Sequence, residues 1–325
     1  LWTLLKQPTR VNSTYFERLA IFLKGVWVAN ALESHQFNVI HTHFAWLSAA
    51  GAWVASQLLG IPFTVTTHAF DIYSERNDLL YLITSQAAKI VTISEHNKNA
   101  ILEANPNLSD SNIQVIRCGV DLSFFSNSSS SEKPIEFPLQ ITSVGSLIDK
   151  KGHEFLIRAC ADLNTQGIPF HCVIVGSGIQ EMHLASLILE HNLTGKVVLA
   201  GKQSQEWIKE RLTRSHLFVL ACIKTSDDDQ DGIPVSLMEA MAMKVPVIST
   251  AVSGIPELIE NEKIGLLVED RDPGAITQAI IRISRDPDLR QTFCENGLRK
   301  IVQDYNIHKN VDQLIKIFSQ VVAEY

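Results

Sequence analysis

The sequence predicts an α/β protein built from two doubly wound parallel-sheet domains. Short runs rich in β-branched residues alternate with longer helical patterns over most of the 325 residues, which is typical of strand-helix-strand units. The length exceeds the size at which one hydrophobic core usually keeps growing, so two domains are expected. The predicted strands end in polar residues, and open parallel sheets bind their ligands at the ends of the strands.

Ten strands are predicted from these runs. Four belong to the first part of the chain, at 39–43, 63–68, 89–94 and 114–118. Six belong to the second part, at 140–145, 171–176, 197–201, 217–222, 246–250 and 265–268. Residues 126–134 are rich in serine and lack apolar periodicity, which is typical of a flexible linker. We therefore predict domains at 1–134 and 135–305.

Helices are predicted at both ends of the chain. Apolar residues of 311–322 recur at helical spacing, so residues 306–325 are predicted to form a C-terminal helix. Residues 11–32 combine an apolar stripe with Arg18 and Lys24, and we expect them to pack on the first domain. The alternative is a helix that lies on a membrane surface.

Composition and charge exclude several classes of protein. The formal net charge of -7 leaves no basic footprint for nucleic-acid binding. No apolar run approaches the length of about 18 residues expected of a membrane-spanning helix. The five cysteines are widely spaced and contain no C-x-x-C pair, which predicts reduced thiols and a cytoplasmic location.

The strongest functional motif follows the strand predicted at 217–222 and begins at Asp231. Pro234 suits the first helical turn, and the residues after it would offer N–H groups that bind phosphate. Glu239 lies about one and a half turns further along, within reach of the ribose of the same nucleotide, while Asp231 would meet the sugar. The alternative is structural, with Asp231 as a helix cap and Glu239 as a surface residue.

These residues resemble the signature of glycosyltransferase family 4, in which two acidic residues eight positions apart flank Gly-x-Pro and are followed by Glu-Ala-Met-Ala. The resemblance continues through 246–250, 253–257 and 265–268 in the family's order, and it covers the chain from about His41 onward. The version with Asp231 and Gly-Ile-Pro looks like the bacterial exopolysaccharide, colanic-acid-type branch.

The resemblance implies a GT-B fold, in which two Rossmann-like domains face a cleft. The domain at 1–134 would lie on the acceptor side, the domain at 135–305 would bind the nucleotide-sugar donor, and the helix at 306–325 would cross back to the first domain. It implies a retaining hexosyltransferase that needs no metal or other cofactor, takes a UDP- or GDP-sugar as donor, and transfers to a saccharide or lipid-linked saccharide. It also implies a cytoplasmic location, with peripheral association with the inner membrane face as a second option. Donor-binding roles carry over to Gly232, Ile233, Pro234, Val235, Ser236 and Glu239.

A second element of the donor site follows the strand predicted at 140–145. Lys151 matches the family lysine that neutralises the donor diphosphate, on which charge develops as the glycosidic bond breaks. Gly145 and Ser146 would line the same loop. The family usually has arginine in place of Ser146, so a phosphate contact worth about 1.5 to 3 kcal/mol is expected to be missing. Without the resemblance, Lys150 and Lys151 fit a solvated pair near a helix start.

Two weaker elements complete the predicted donor site. Gly176 begins a Gly-x-Gly after the strand at 171–176, and we interpret it as a tight turn near the donor. Gln203 follows the strand at 197–201, where relatives place groups around the nucleotide base.

Histidines follow two predicted strands of the first domain. His68 matches the family position near the reacting sugar, where a histidine hydrogen-bonds the donor and helps to stabilise positive charge on the ring. We expect a structural role for His41. A metal site that includes His43 is the alternative, because imidazole is a common ligand, although no cysteine or carboxylate recurs at ligand spacing.

Two further alternatives stay open. A metal-dependent GT-A-type transferase would hold Mg²⁺ or Mn²⁺ through the Asp-x-Asp pairs of 227–231, which an acidic solvated loop explains equally well. A non-catalytic sugar-nucleotide-binding subunit would explain Ser146. It would also explain Lys244, which replaces a family glycine and must adopt a strained left-handed conformation or end its helix differently.

The start of the chain differs from that of its relatives. The family begins with a strand and a glycine-rich loop that faces the donor phosphates, and no equivalent precedes Val39. We therefore expect about 70 to 90 residues of the first domain to be absent. We also expect the 325-residue chain to be weakly active or inactive.

Overall fold

The computed structural model describes residues 15–73, 79–126 and 135–325. All but the first residue of the linker predicted at 126–134, and the first four residues of the segment 11–32, lie outside the described residues. Contacts divide the described chain into two compact units. The first contains the described residues up to Arg117 together with Asp227–Gly232 and Lys309–Tyr325, and the second contains Cys118–Ser226 and Ile233–His308.

The first unit contains a parallel sheet with the strand order β1-β2-β3-β4. Its strands are β1 Ile40–His43, β2 Phe63–Thr67, β3 Lys89–Thr92 and β4 Ile113–Val115. The helices between and before them are α1 Tyr15–Leu32, α2 Leu47–Leu59, α3 Ala69–Tyr73, α4 Leu80–Gln86 and α5 Glu95–Ala104, with a 3-10 turn at Asp110–Asn112.

The second unit contains a parallel sheet with the strand order β10-β9-β8-β5-β6-β7. Its strands are β5 Leu139–Val144, β6 Phe170–Val175, β7 Val197–Leu199, β8 Leu217–Leu220, β9 Val247–Thr250 and β10 Leu266–Val268. Its helices are α6 His153–Thr165, α7 Glu181–Glu190, α8 Gln205–Arg214, α9 Val235–Ala242, α10 Ile255–Leu258, α11 Pro273–Arg285 and α12 Pro287–Asp304, with a 3-10 turn at Asp149–Lys151. The last helix is α13 Ile307–Glu324.

The ten predicted strands are confirmed, although several end one to three residues earlier than predicted. The central strand β8 is buried along its whole length, as expected of a parallel strand covered on both faces. The polar residues that were predicted to close several strands lie instead in the loops that follow them. These loops therefore start with the side chains that the sequence marks as functional.

The contacts divide the chain earlier than the domain boundary predicted at residue 134. Val120 and Phe125 are buried in the core of the second unit, so the residues that follow Arg117 pack there. In the first unit, Ile317 and Val321 of α13 pack against Val91 and Ile116.

Helix α1 packs closely on α2 through Gly25. A Cβ atom on Gly25 would lie 2.5 Å from the Cβ of Val54, so the two helices meet at a residue without a side chain. Phe16, Leu23 and Trp27 of the same helix stay exposed. Over the described ranges, every helix is too short or too polar to span a bilayer.

Candidate functional site

The loops that follow β5 and β6 touch through their backbones. Gly176 has a φ of 150°, and a Cβ atom there would lie 1.9 Å from the carbonyl oxygen of Gly145. The amide of Leu147 donates to the carbonyl oxygen of Ser177 over 3.0 Å, which continues the contact along both loops. The structure thus brings Gly145, Ser146 and Gly176 together at the carboxyl end of the sheet, and Ser146 is exposed there.

Lys151 lies over the first of these loops. A Cβ atom on Gly145 would be 3.3 Å from the Cδ of Lys151. The next residue, Gly152, has a φ of 63°, and a Cβ atom there would lie 1.7 Å from the carbonyl oxygen of Ala221. Only glycine fits at this position, so the close approach of the chain to the end of β8 fixes where the Lys151 side chain starts.

His153 is a buried residue of this loop to which the sequence assigned no role. Its Nδ1 lies 3.3 Å from the Oγ of Ser143, and its Nε2 lies close to Gly145. Burial lowers the pKa of His153 to about 4, so the ring is neutral at physiological pH. The sequence signal that could have identified His153 is its position directly after Gly152, where only glycine fits.

Helix α9 begins one residue later than predicted. Pro234 does not lie in the first turn; it has an extended conformation, with φ −62° and ψ 125°, and its carbonyl oxygen accepts from the amide of Leu237. It therefore occupies the N-cap position, and the N–H groups of Val235 and Ser236 have no carbonyl group in a preceding turn. The hydroxyl of Ser236 donates to the carbonyl oxygen of Val144 over 2.8 Å, which ties the helix start to the end of β5.

Glu239 is a half-buried acid on α9. In the part of the chain that the structure describes, its carboxylate has no hydrogen-bond or ion-pair partner. Burial raises the pKa of Glu239 from 4.5 to about 7. No described residue therefore supports the alternative in which Glu239 is a surface residue that pairs along the helix. An acid with a near-neutral pKa is typical of functional sites.

Gln203 lies in the loop after β7. Its Nε2 donates to the carbonyl oxygen of Ala200 over 2.6 Å, which holds the amide against the end of the strand. The side chain is therefore positioned by its own loop.

In the first unit, His41 is held by two threonines of β2. Its Nδ1 lies 2.9 Å from the Oγ1 of Thr64, and its Nε2 lies 3.0 Å from the Oγ1 of Thr66. Burial, with a smaller contribution from His43, lowers the pKa of His41 to about 4. A neutral histidine with partners at both ring nitrogens has the expected structural role.

His68 faces His43 at the carboxyl ends of β1 and β2. The Nε2 of His68 lies 3.1 Å from the Nδ1 of His43, and the two rings stack with their centroids 5.4 Å apart. Burial, with a smaller contribution from His43, lowers the pKa of His68 to about 4. Both histidines were candidates from the sequence, but their pairing was not predicted. The pairing follows from the strand register, which places His43 beside Thr66.

Asp71 positions the backbone around His68. Its Oδ1 accepts from the amide of His68 and its Oδ2 accepts from the amide of Ala45, each over 2.7 Å. Burial raises the pKa of Asp71 to about 6, which outweighs the effect of these backbone hydrogen bonds. No role was predicted for Asp71 from the sequence, although a carboxylate at the start of a helix can accept from the backbone amide three residues before it.

The segment Asp227–Gly232 packs with the first unit. A Cβ atom on Gly232 would lie 2.8 Å from the Cδ1 of Ile93 and 3.6 Å from the Cβ of Ala69, the residue after His68. The structure therefore brings the segment that carries Asp231 close to the chain around His68. Ile233 is buried in the core of the second unit, and Glu239 belongs to the same unit.

Three or more His, Cys, Asp or Glu side chains do not come together at any place among the described residues in a way that could hold a metal ion. Metal independence stays a prediction, because this observation concerns the side chains of the described residues alone.

Solved glycosyltransferases share the fold. A glycosyltransferase from Rickettsia africae superposes with a TM-score of 0.81 at 21% identity, over 96% of this chain and 84% of that chain. Alr3699/HepE from Anabaena, solved in complex with UDP-glucose, gives a TM-score of 0.77 at 18% identity, over 91% and 82% of the two chains. The predicted GT-B fold is thereby confirmed, and the GT-A alternative is wrong because it requires a different fold.

The sequence comparisons identify the family. The model for glycosyl transferases group 1 matches residues 125–300, which is more than half of the chain, and the model for Glycosyltransferase Family 4 matches residues 4–124. The chain belongs to the glycosyl transferases group 1 family, and the predicted resemblance to family 4 is confirmed.

Two relatives belong to the exopolysaccharide branch that the sequence predicts. WcaL from Salmonella typhimurium, assigned to colanic acid biosynthesis, is 38% identical over 195 residues, which are 60% of this chain and 48% of the relative. AmsK from Erwinia amylovora, an amylovoran biosynthesis glycosyltransferase, is 37% identical over 184 residues, which are 57% and 45% of the two chains. The chain spans about half the length of these relatives.

Proposed function

We propose that the protein is a retaining glycosyltransferase that moves a hexosyl group from a nucleoside-diphosphate sugar to a saccharide or lipid-linked saccharide in exopolysaccharide biosynthesis. The observation that carries this proposal is the carboxylate of Glu239, which is half-buried and has no partner among the described residues. It lies about 6 Å along α9 from the N–H groups at the helix start. Ribose hydroxyl groups would supply its missing hydrogen bonds while the phosphates accept from those N–H groups.

The diphosphate would rest between the helix start and the loop after β5. Val235 and Ser236 offer the N–H groups, and the Ser236 hydroxyl holds this helix start to the end of β5. Lys151, whose stem lies against Gly145, supplies a positive charge for the leaving diphosphate, so no metal ion is needed for that purpose. Gln203 would lie toward the base.

The family resemblance assigns His68 and Asp231 to the reacting sugar. A neutral His68 can donate or accept a hydrogen bond with a sugar hydroxyl, and Asp231 supplies a carboxylate near the positive charge that develops on the ring. Asp71 and His43 hold His68 from its backbone and its ring, respectively. Retention requires the acceptor oxygen to bond to the face of the anomeric carbon that the diphosphate leaves.

The relatives support the biosynthetic setting. WcaL is assigned to colanic acid biosynthesis and AmsK to amylovoran biosynthesis, while HepE was solved with UDP-glucose. A donor of this kind fits a cytoplasmic enzyme. The exposed Phe16, Leu23 and Trp27 of α1 support peripheral contact with the inner membrane face.

A thermal-shift screen tests the donor site. UDP, GDP and ADP are compared with UDP-glucose, GDP-mannose and ADP-glucose, and a ligand that binds the native state raises Tm. Glu239→Gln and Lys151→Ala should lose the shift given by the nucleotide itself, whereas Asp231→Asn should lose only the extra shift given by the sugar. The exposed Glu181→Gln and Lys316→Ala are matched controls. Unchanged shifts in all three site variants contradict the proposal.

Turnover separates an enzyme from a binding subunit. Proton NMR of the product should show the anomeric configuration of the donor, and excess EDTA should leave the rate unchanged. Binding without turnover would favour the sugar-nucleotide-binding subunit, for which the exposed Ser146 in place of the family arginine is the supporting observation. Activity lost in EDTA and restored by Mn²⁺ would refute the metal-free mechanism.

A further inference from the structure

Phe44 has a backbone conformation that its residue type does not favour. Its φ is 67°, in the left-handed region, where a bulky side chain is strained. The turn itself has a clear purpose, because it lets the amide of Ala45 reach the Oδ2 of Asp71 over 2.7 Å. The amide of Phe44 also donates to the carbonyl oxygen of Thr66 over 2.8 Å. Glycine would make the same backbone bonds without strain.

Packing does not explain why residue 44 is a phenylalanine. Phe44 stays 43% exposed, so its side chain removes much less apolar surface from water than it would at a core position. Its main aromatic contact is with His68, with ring centroids 4.5 Å apart and an angle of 34° between the rings. A strained residue with a half-exposed ring therefore needs another explanation.

The ring forms part of an aromatic surface, which we define as Phe44, Trp46, His68 and Phe70. The rings of Trp46 and Phe70 lie 5.6 Å apart, and Phe70 is 54% exposed. These residues follow the carboxyl ends of β1 and β2, where open parallel sheets bind their ligands. The aromatic surface therefore adjoins the histidine that the proposed function places beside the reacting sugar.

We propose that Phe44 binds a pyranose ring of a substrate by stacking. The C–H groups on one face of a pyranose carry partial positive charge and are attracted to the negative face of an aromatic ring. The hydroxyl groups at the edge of the same sugar would lie near the imidazoles of His43 and His68. The inference rests on the proposed function, since it takes a sugar as the substrate, and the pyranose belongs either to the acceptor or to the donor.

The variants keep the turn while they remove the ring. Phe44→Gly and Phe44→Asn both suit a left-handed conformation, so the protein should fold with either one. Phe44→Trp keeps an aromatic face. Phe37→Ala is the matched control, because Phe37 is 46% exposed and stacks on His35 with centroids 5.5 Å apart.

Binding is measured in two arms on the purified protein. In the first arm, saturation-transfer NMR follows a panel of methyl glycosides of glucose, galactose, mannose, fucose and glucuronic acid in the presence of UDP. In the second, calorimetry compares UDP-glucose, GDP-mannose and ADP-glucose, each with its nucleoside diphosphate. Phe44→Gly and Phe44→Asn should weaken sugar binding about tenfold, while Phe44→Trp and Phe37→Ala keep it.

The arms distinguish the source of the pyranose. Weaker glycoside binding with unchanged nucleotide sugars assigns Phe44 to the acceptor, and a loss confined to the sugar part of the donor assigns it to the donor. Unchanged binding in both arms overturns the proposal, as does an equal loss in Phe37→Ala. If no nucleotide binds the wild type, the proposed function fails, while glycoside binding that depends on Phe44 would still support the stacking role.

Discussion

A Cβ atom on Gly176 would lie 1.9 Å from the carbonyl oxygen of Gly145, so the loops after β5 and β6 lie together only because residue 176 lacks a side chain. We expect Gly176→Ala to lower the free energy of unfolding by about 3 to 5 kcal/mol, from backbone strain and overpacking together. The nucleotide-dependent thermal shift should disappear as well.

Gly195→Ala is the control for this substitution. Gly195 has a φ of 80° with nothing within 4 Å of the added Cβ, so only strain of about 1 to 2 kcal/mol is expected. Urea denaturation measures both variants. Equal losses would show that the contact between the loops contributes nothing beyond the strain.

Lys244 offers a stabilising substitution. The sequence predicted either strain or a different helix end at this position, and the structure shows the strained conformation, with a φ of 57°. Lys244→Gly should raise the free energy of unfolding by about 0.5 to 1 kcal/mol. Asn192→Gly, at a φ of 56°, is the control, since asparagine tolerates this conformation and the gain should be near zero. A destabilised Lys244→Gly protein would contradict the interpretation.

Glu239 should make stability depend on pH. Its pKa is about 7 in the folded protein and near 4.5 in the unfolded chain, so folding takes up a proton between these values. Stability therefore falls as the pH rises from about 4.5 to 7, and the destabilisation is complete above 7. Glu239→Gln should remove as much as about 3 kcal/mol of this destabilisation at pH 8.

Glu239→Gln should also abolish nucleotide binding, so this substitution should raise the stability at pH 8 while it removes the binding. Urea denaturation at pH 5 and pH 8 measures the stability, with Glu181→Gln as the exposed control. A Glu239→Gln protein that is less stable than the wild type at pH 8 would contradict a carboxylate without partners.

Asp71 should be important for the stability of the first unit. Asp71→Ala removes the carboxylate that accepts from the amides of Ala45 and His68, which should lower the free energy of unfolding by about 2 to 4 kcal/mol. Glu210→Ala, which breaks an exposed ion pair with Arg214, should cost about 0.5 kcal/mol. Thermal denaturation followed by circular dichroism measures both, and similar values for the two would refute the role of Asp71.

The strands were predictable because their signals are local. A parallel strand buried on both faces, such as β8, has a continuous apolar run, and its loop begins where polar residues replace that run. The motif from Asp231 to Glu239 was found in the same way, because one short segment contains the acids, the glycine and the proline. Even there, the start of α9 was misplaced by one residue, since proline fits both the cap and the first turn.

The pairings between loops were not predictable. Gly176 contacts Gly145, and His43 contacts His68, across strands whose register no local pattern specifies. A shift of one residue in the register would turn the His43 side chain to the other face of the sheet. The left-handed conformation of Phe44 was missed for a related reason: it exists because Ala45 bonds to Asp71, a residue of a different loop.

The packing of α13 on Val91 and Ile116 has a consequence for biosynthesis of the chain. Translation releases the N-terminal residues first, and domains usually fold as they emerge. The first unit cannot bury Val91 and Ile116 under Ile317 and Val321 until the codons for α13 have been read. Ribosome-arrested chains that end before Lys309 should therefore be cleaved by protease around β3 and β4, whereas released chains that contain α13 should be protected there.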